Sequence, residues 1–352
     1  MISKLRINNF RNFKTKLLDF SPKTTIIIGP NASGKTNILE ALFVLSSGKS
    51  FRAHIEEEMI NYAKDLARIK GRIQKDGEIK DLEVVLTRGF IDIGKNSPEK
   101  VARKKLLVGG IPKRLIDFAG NFRVALFGPW DLDLVTESPS LRRRFLDTVL
   151  SQVDREYRRA SLSYEKGLRQ RNRLLLRIRD EGLSRGQLLF WDKLLVRNGD
   201  YISRIREEFI DFVNMTPPLD SEVFSLEYDK SAISEARLEQ YAEEEVAATT
   251  TLVGPHRDDF IFSRGRRDLA RYGSRGEQRM GVLWLKLAEL KFIDEKTGSR
   301  PTLLLDDIFS ELDHRHREIV LSASQNQQTI ISTADPHFLG GVRKVEKIKL
   351  GG

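Results

Sequence analysis

GPNASGKT, from Gly29 to Thr36, is the stretch that decides the fold. It matches G-x-x-x-x-G-K-[ST] and stands between an apolar run, TTIII at 24–28, and a segment of helical character, KTNILEALFVLSSG. In that setting the N–H groups of the loop and of the helix N-terminus converge on one concavity that favours an anion. Gly29, Pro30, Asn31, Ala32, Ser33, Gly34, Lys35, Thr36 and Asn37 are assigned on this basis to a nucleoside triphosphate. Lys35 is expected at the β and γ phosphates, and the Thr36 hydroxyl on Mg2+. The helix is apolar nearly all round and closed by Gly48, which belongs inside a protein.

A loop of this kind needs an acidic strand beside it. PTLLLDDIFSELD supplies one: Leu303, Leu304 and Leu305 read as a buried strand whose C-terminal end delivers Asp306 and Asp307. Asp306 is expected to hold Mg2+ and Asp307 to polarise the attacking water, while Asp313 caps the following helix. With Lys35, Asp307 completes the expected catalytic pair. The closing stretch alternates helix (about 275–295), strand (302–306), helix (311–323) and strand (328–333), an α/β pattern.

Between these ends the pattern changes twice. Residues 66–126 alternate apolar and charged positions, with punctuation at DG and VGGIPK, and predict a β meander. From Ser140, a plausible N-cap, helical periodicity runs to about Met215, where TPP ends it. Residues 249–263 return to strand and turn. The expectation is one α/β domain built from both ends of the chain, 1–128 with 247–352, and an inserted helical lobe at 129–246.

Composition narrows the function. The 352 residues exceed the size at which one core stops growing, and a net charge of +10 favours a polyanionic partner. Between Ser140 and Phe190 stand 13 lysines and arginines against 6 acidic residues, so seven of the ten net charges fall there. Arg142, Arg143, Arg144, Arg155, Arg158 and Arg159 are the expected contacts to a nucleic-acid phosphate backbone, largely independent of sequence. The absence of cysteine excludes disulfides and thiolate chemistry. Without a signal-peptide core or a long apolar run, the chain is expected to be soluble and cytoplasmic.

One motif is left over. YGSRGEQR, residues 272–279, places Ser274 and Gly276 in a turn at the head of a helix, a second set of anion-binding tools that a single-site P-loop enzyme does not need. GPNASGKT, SRGEQ at 274–278, LLLDD at 303–307 and SELD at 310–313 resemble the Walker A, signature, Walker B and D-loop of ABC-type ATPases. In that superfamily the signature of one subunit completes the nucleotide site of the other, which implies that Ser274, Gly276 and Gln278 serve a neighbouring copy. LRINNFRNF, GKTNILEAL, GKSFR, FGPWDLDLV, SLRRRFLD and GPHRDD, in this order, are similar to the RecF family of recombination mediators, relatives of SMC heads.

The resemblance implies an ABC-type ATPase head, a mixed sheet with P-loop core plus a β meander, carrying a mainly helical lobe. It also implies ATP and Mg2+, an ATP-dependent homodimer on double-stranded DNA, weak hydrolysis, and RecO and RecR partners that help load RecA at gaps. Arg11 would reach the nucleotide, as in SMC-like heads. Asp307 stands where fast ABC ATPases have glutamate, and its shorter arm predicts slow turnover. Two positions depart from the superfamily pattern: Trp130 in FGPWDLDLV, and Asp335 with His337 in ISTADPH. An ABC transporter subunit would not need 239 positions between Lys35 and Ser274. A long-armed SMC protein would need far more heptad repeat than this helical segment offers.

Overall fold

The computed structural model describes residues 1–75, 77–91, 99–310, 312–335, 337 and 345–351. The chain divides into two compact units, Met1–Pro129 with Ile293–Gly352, and Trp130–Phe292.

The first unit holds the loop. Its central sheet is parallel throughout, in the spatial order Val124–Phe127, Thr302–Asp306, Thr329–Thr333, Thr24–Ile28, Val345–Lys349. Parallel strands are covered on both faces, which is why Ile26, Ile27, Leu303 to Leu305, Ile330 and Ile331 read as apolar runs rather than alternations, and all are buried. Helix Lys35–Ser47 follows the Thr24–Ile28 strand and ends at Gly48 in the left-handed region, φ 70°. It buries Ile38, Leu39, Leu42, Val44 and Leu45. The last strand, Val345–Lys349, was not anticipated. It is an edge strand carrying Glu346, Lys347 and Lys349, and its charges hide the strand pattern while guarding the edge.

The strands of the expected meander join the first two strands of the chain in a six-stranded antiparallel sheet, ordered Phe13–Asp19, Ile2–Phe10, Leu66–Lys75, Glu78–Thr87, Lys104–Val108, Ile111–Lys113, while Val124–Phe127, within the range expected for the meander, belongs to the parallel sheet instead. The VGGIPK hairpin turns through Gly109 and Gly110 at φ 59° and 80°, the paired positive φ of a two-residue loop matched to strand twist. At the DG turn, Gly77 has φ 78°, and Asp76 lies outside the described residues.

The second unit is built on helices Pro139–Val153, Arg155–Glu181 and Leu189–Asn214, with a small sheet of Phe224–Asp229, Asp259–Arg264 and Arg267–Asp268. The first helix starts two residues earlier than expected. Ser138, not Ser140, precedes it, because Pro139 with its fixed φ takes the first helical position. Phe145, Phe209, Phe260 and Phe292 form the aromatic core.

A buried ionic network replaces apolar packing beside this core. Arg206, 3% exposed, donates to Asp147 at 2.9 Å, to Asp258 at 3.0 Å and to the Pro255 carbonyl at 2.7 Å. Asp258 also accepts from Tyr228 and from the Ser231 amide, and Asp259 takes both arms of Arg142. These contacts, with the pairing of Asp259–Arg264 on Phe224–Asp229, draw GPHRDD into the second unit. The domain boundary expected at 246/247 is therefore corrected: residues 247–292 pack with the helices, and the chain returns to the first unit at Ile293.

Candidate nucleotide site

The loop keeps its shape through two residues in the left-handed region, Ala32 at φ 65° and Gly34 at φ 97°. At Gly34 a Cβ would lie 2.6 Å from the Phe13 ring and 2.9 Å from the Asn12 amide, so only glycine fits. Lys35 is 7% exposed and folds back over the loop, donating to the carbonyls of Gly29 at 2.7 Å and Pro30 at 2.9 Å. The Ser33 hydroxyl is buried without a hydrogen-bond partner. A buried, unsatisfied hydroxyl is costly and rare in native folds, and a phosphate oxygen among the loop amides would satisfy it.

The acidic strand meets the loop through side chains. Thr36 donates its hydroxyl to one oxygen of Asp306 at 2.8 Å, and Ser332, on the neighbouring strand, donates to the other. Burial pushes the Asp306 carboxyl above its usual range; the two hydroxyls oppose that, and the adjacent charge of Asp307 adds to it. A hydroxyl and a carboxylate are hard oxygen donors, suited to Mg2+ shared with a phosphate rather than caged by protein alone. Among the described residues, no group of three or more His, Cys, Asp or Glu is arranged to hold a metal ion. Asp307 has φ 49°, a strained value for a non-glycine residue, and its amide donates to the Ser332 carbonyl at 3.1 Å.

Arg11 is brought beside the helix of Lys35. Its Nε and Nη2 donate to Glu40 at 2.8 and 2.6 Å, and Nη1 to the Glu58 carbonyl at 2.7 Å. Glu40 is fully buried and takes Arg52 at 2.8 Å and the Ser50 hydroxyl at 2.6 Å. Burial alone would raise its pKa, but the hydrogen bonds from Arg11, Arg52 and Ser50 outweigh it and hold the carboxyl below its ordinary value. Arg52 also donates to Asn37, whose amide donates to Asn12 at 2.7 Å, beside Gly34. Sequence reasoning missed Glu40 as the hub of this support. Its signal was an acid standing alone in an otherwise apolar helix.

In the second unit, Ser274 and Gly276 lie exposed at the start of helix Arg275–Thr297. The Ser274 amide donates to the Glu277 carboxylate at 2.7 Å, and the Glu277 amide donates back to the Ser274 hydroxyl at 3.3 Å, a reciprocal capping box. Gly276 leaves open space: a Cβ there would meet nothing closer than the Ser274 hydroxyl at 3.9 Å. Gln278 is buried and donates to the Leu269 carbonyl at 2.9 Å, so its amide serves the fold of its own chain.

The expected DNA arginines divide. Arg142 is turned inward, holding Asp259 and the carbonyls of Leu134 and Glu137. Arg143 donates to the Asp258 carbonyl, Arg158 to that of Ser151, and Arg159 pairs with Glu156. Arg144 and Arg155 are exposed. Near the chain's end, the Asp335 carboxylate accepts from the His337 amide at 2.9 Å. Glu311 of SELD and Pro336 of ISTADPH lie outside the described residues.

This arrangement has known counterparts. The family described as RecF/RecN/SMC N terminal domain matches residues 1–350. The DNA replication and repair protein RecF of Herpetosiphon aurantiacus is 36% identical, over 98% of this chain and 97% of its own length. That of Lachnoclostridium phytofermentans is 36% identical over 94% and 92%. Among solved structures, the recombination mediator protein RecF-ATP in the RecFOR pathway superposes with a TM-score of 0.86 at 29% identity, over 99% of this chain and 95% of that one. An SMC head bound to the C-winged helix domain of ScpA shares the fold, with a TM-score of 0.52 at 16% identity, over 98% and 93%. By its loop, its acidic strand and its likeness to these relatives along nearly the whole chain, this protein belongs to the RecF family within the RecF/RecN/SMC group.

Proposed function

We propose that the chain is an ATP-dependent double-stranded-DNA-binding protein of recombinational repair and replication-fork maintenance. ATP and Mg2+ bind at Gly29–Thr36 and Asp306, and two copies close head to head on DNA, each lending Ser274 and Gly276 to the other. RecO- and RecR-type partners then promote RecA loading at gaps. The observation that carries this reading is the joined hydroxyl of Thr36 and carboxylate of Asp306 under a loop whose Ser33 hydroxyl is buried and unsatisfied. A structural relative described as RecF-ATP, aligned over 99% of this chain, supports it.

The chain's own residues set the chemistry. Mg2+, when bound, supplies positive charge where the phosphates carry negative charge. Lys35 brings a cation to the phosphates, moving off the Gly29 and Pro30 carbonyls, and Asp307 holds and polarises the water. ATP contacts both halves only in the closed dimer, so it favours that state by differential affinity. Hydrolysis by the short-armed Asp307 is slow and reopens the dimer. Exposed arginines of the second unit, Arg144 and Arg155 first, meet phosphates without reading bases.

The test is DNA binding with and without ATP across salt concentration. A steep loss of affinity with salt and tighter binding with ATP are expected. Affinity indifferent to both refutes the reading.

A further inference from the structure

Strand Thr329–Thr333 lies beside the acidic strand in the parallel sheet, with Asp306 paired to Ser332 in the register. Its neighbours Ile330 and Ile331 are fully buried, and so is Ser332. A serine in such a strand must find a partner, because a buried hydroxyl without one costs about 1–3 kcal/mol. Any nearby main-chain carbonyl would satisfy that need. Ser332 instead donates to Asp306, on the oxygen that Thr36 leaves over.

Its main chain makes a second contact with the same acidic pair. The Ser332 carbonyl accepts the amide of Asp307 at 3.1 Å, and Asp307 is the residue held at φ 49°. One residue on the adjacent strand therefore fixes the carboxylate of Asp306 and the backbone that aims Asp307. The loop grips Asp306 from one side through Thr36, and the sheet grips it from the other.

We infer that Ser332 is a positioning residue of the metal site: its hydroxyl holds Asp306 in the orientation that receives Mg2+, and its carbonyl locks the turn that presents Asp307. The inference rests on the nucleotide reading of this site. With the serine hydroxyl removed, one Asp306 oxygen loses its donor, and the carboxylate turns away from the position shared with the Thr36 hydroxyl. Groups that orient a metal ligand in this way change metal affinity by about tenfold or more when deleted.

The experiment uses a fluorescent ATP analogue, titrated onto the full chain first in EDTA and then with increasing MgCl2. For Ser332→Ala the Mg2+ concentration at half-effect is expected to rise about tenfold. Affinity for the analogue in EDTA should stay near wild type, while thermal unfolding without nucleotide falls by only a few degrees, because Asp306 keeps the Thr36 hydroxyl. Ser332→Thr, which keeps the hydroxyl, should restore the Mg2+ half-point. An unchanged half-point in a folded Ser332→Ala chain overturns the inference. Equal loss of binding in EDTA and in Mg2+, or a lowered unfolding temperature without a shifted half-point, also overturns it, since either marks a merely structural serine. If the wild-type chain binds the analogue but ignores Mg2+, the metal reading fails and the serine's role with it. If it does not bind the analogue at all, the nucleotide reading itself is refuted.

Discussion

Replacing Glu40 by alanine should loosen the support of the nucleotide loop while leaving the loop sequence untouched. Glu40 is fully buried on the helix of Lys35 and joins Arg11 at 2.6 Å, Arg52 at 2.8 Å and Ser50 at 2.6 Å. A hydrogen bond to a charged group contributes about 1.5–3 kcal/mol, and breaking a buried pair by removing one partner costs about 3–5 kcal/mol. The guanidinium groups are not fully buried, with side chains 18% and 37% exposed, so both can regain water. Arg11 also keeps the Glu58 carbonyl. Discounted for that solvation, the loss comes to about 3 kcal/mol. For a folding unit of this size each kcal/mol moves the midpoint by roughly 2–4 °C, so Glu40→Ala should lower the thermal transition by about 6–12 °C. The assay is thermal unfolding at pH 7, with and without ATP and Mg2+.

The glutamate also has a pH signature. Its folded pKa is lowered, so its stabilising contribution is complete above the ordinary carboxyl value of 4.5 and is lost as pH falls through the folded value. The difference between wild type and Glu40→Ala should therefore shrink only under acid conditions below that value. A midpoint shift under about 1 °C at pH 7, or a difference that narrows already at neutral pH, would refute the reasoning.

Two further outcomes follow from the geometry. Asp307→Asn should keep ATP binding, lower hydrolysis by about a hundredfold or more, and prolong the nucleotide-bound dimer, measured by single-turnover kinetics and sedimentation. His256, half-buried with Nδ1 on Tyr164 and Nε2 on the Thr251 carbonyl, has a pKa lowered from 6.5 to about 4 chiefly by desolvation. The folded chain thus resists protonating it, and stability is lost as pH falls between those two values. A His256→Gln chain should show a flatter pH dependence of unfolding in that window, and an identical slope would count against the neutral imidazole.

The sequence showed most plainly what is local. The loop, its helix and the LLLDD strand are contiguous signals, so Gly34, Lys35, Thr36 and Asp306 were legible, as was Asp313, which caps helix His314–Ser324. Pairings made across the chain were not. Ser332 with Asp306, Arg206 with Asp258, and Arg142 with Asp259 each join residues far apart in sequence, and no periodicity announces them. For the same reason an arginine-rich stretch overstates its surface: Arg142 is engaged with Asp259, and Arg171, 2% exposed, lies inside with Asp192 and Glu245. The second boundary moved because GPHRDD supplies the acids of that buried network. At Ser274 the sequence pointed to a turn serving a neighbouring copy, and the capping box with Glu277 within the single chain went unread.

Head-to-head completion of each pocket is tested most directly by mixing two crippled chains. Lys35→Ala cannot hold ATP on its own loop, and Ser274→Arg cannot serve its neighbour, so each alone should be inactive. In an equimolar mixture only a mixed pair has a whole site, one of its two, so ATPase activity should return, up to about half the wild-type rate. A mixture as inactive as its components, or a Ser274→Arg chain that hydrolyses ATP unaided, would contradict the account.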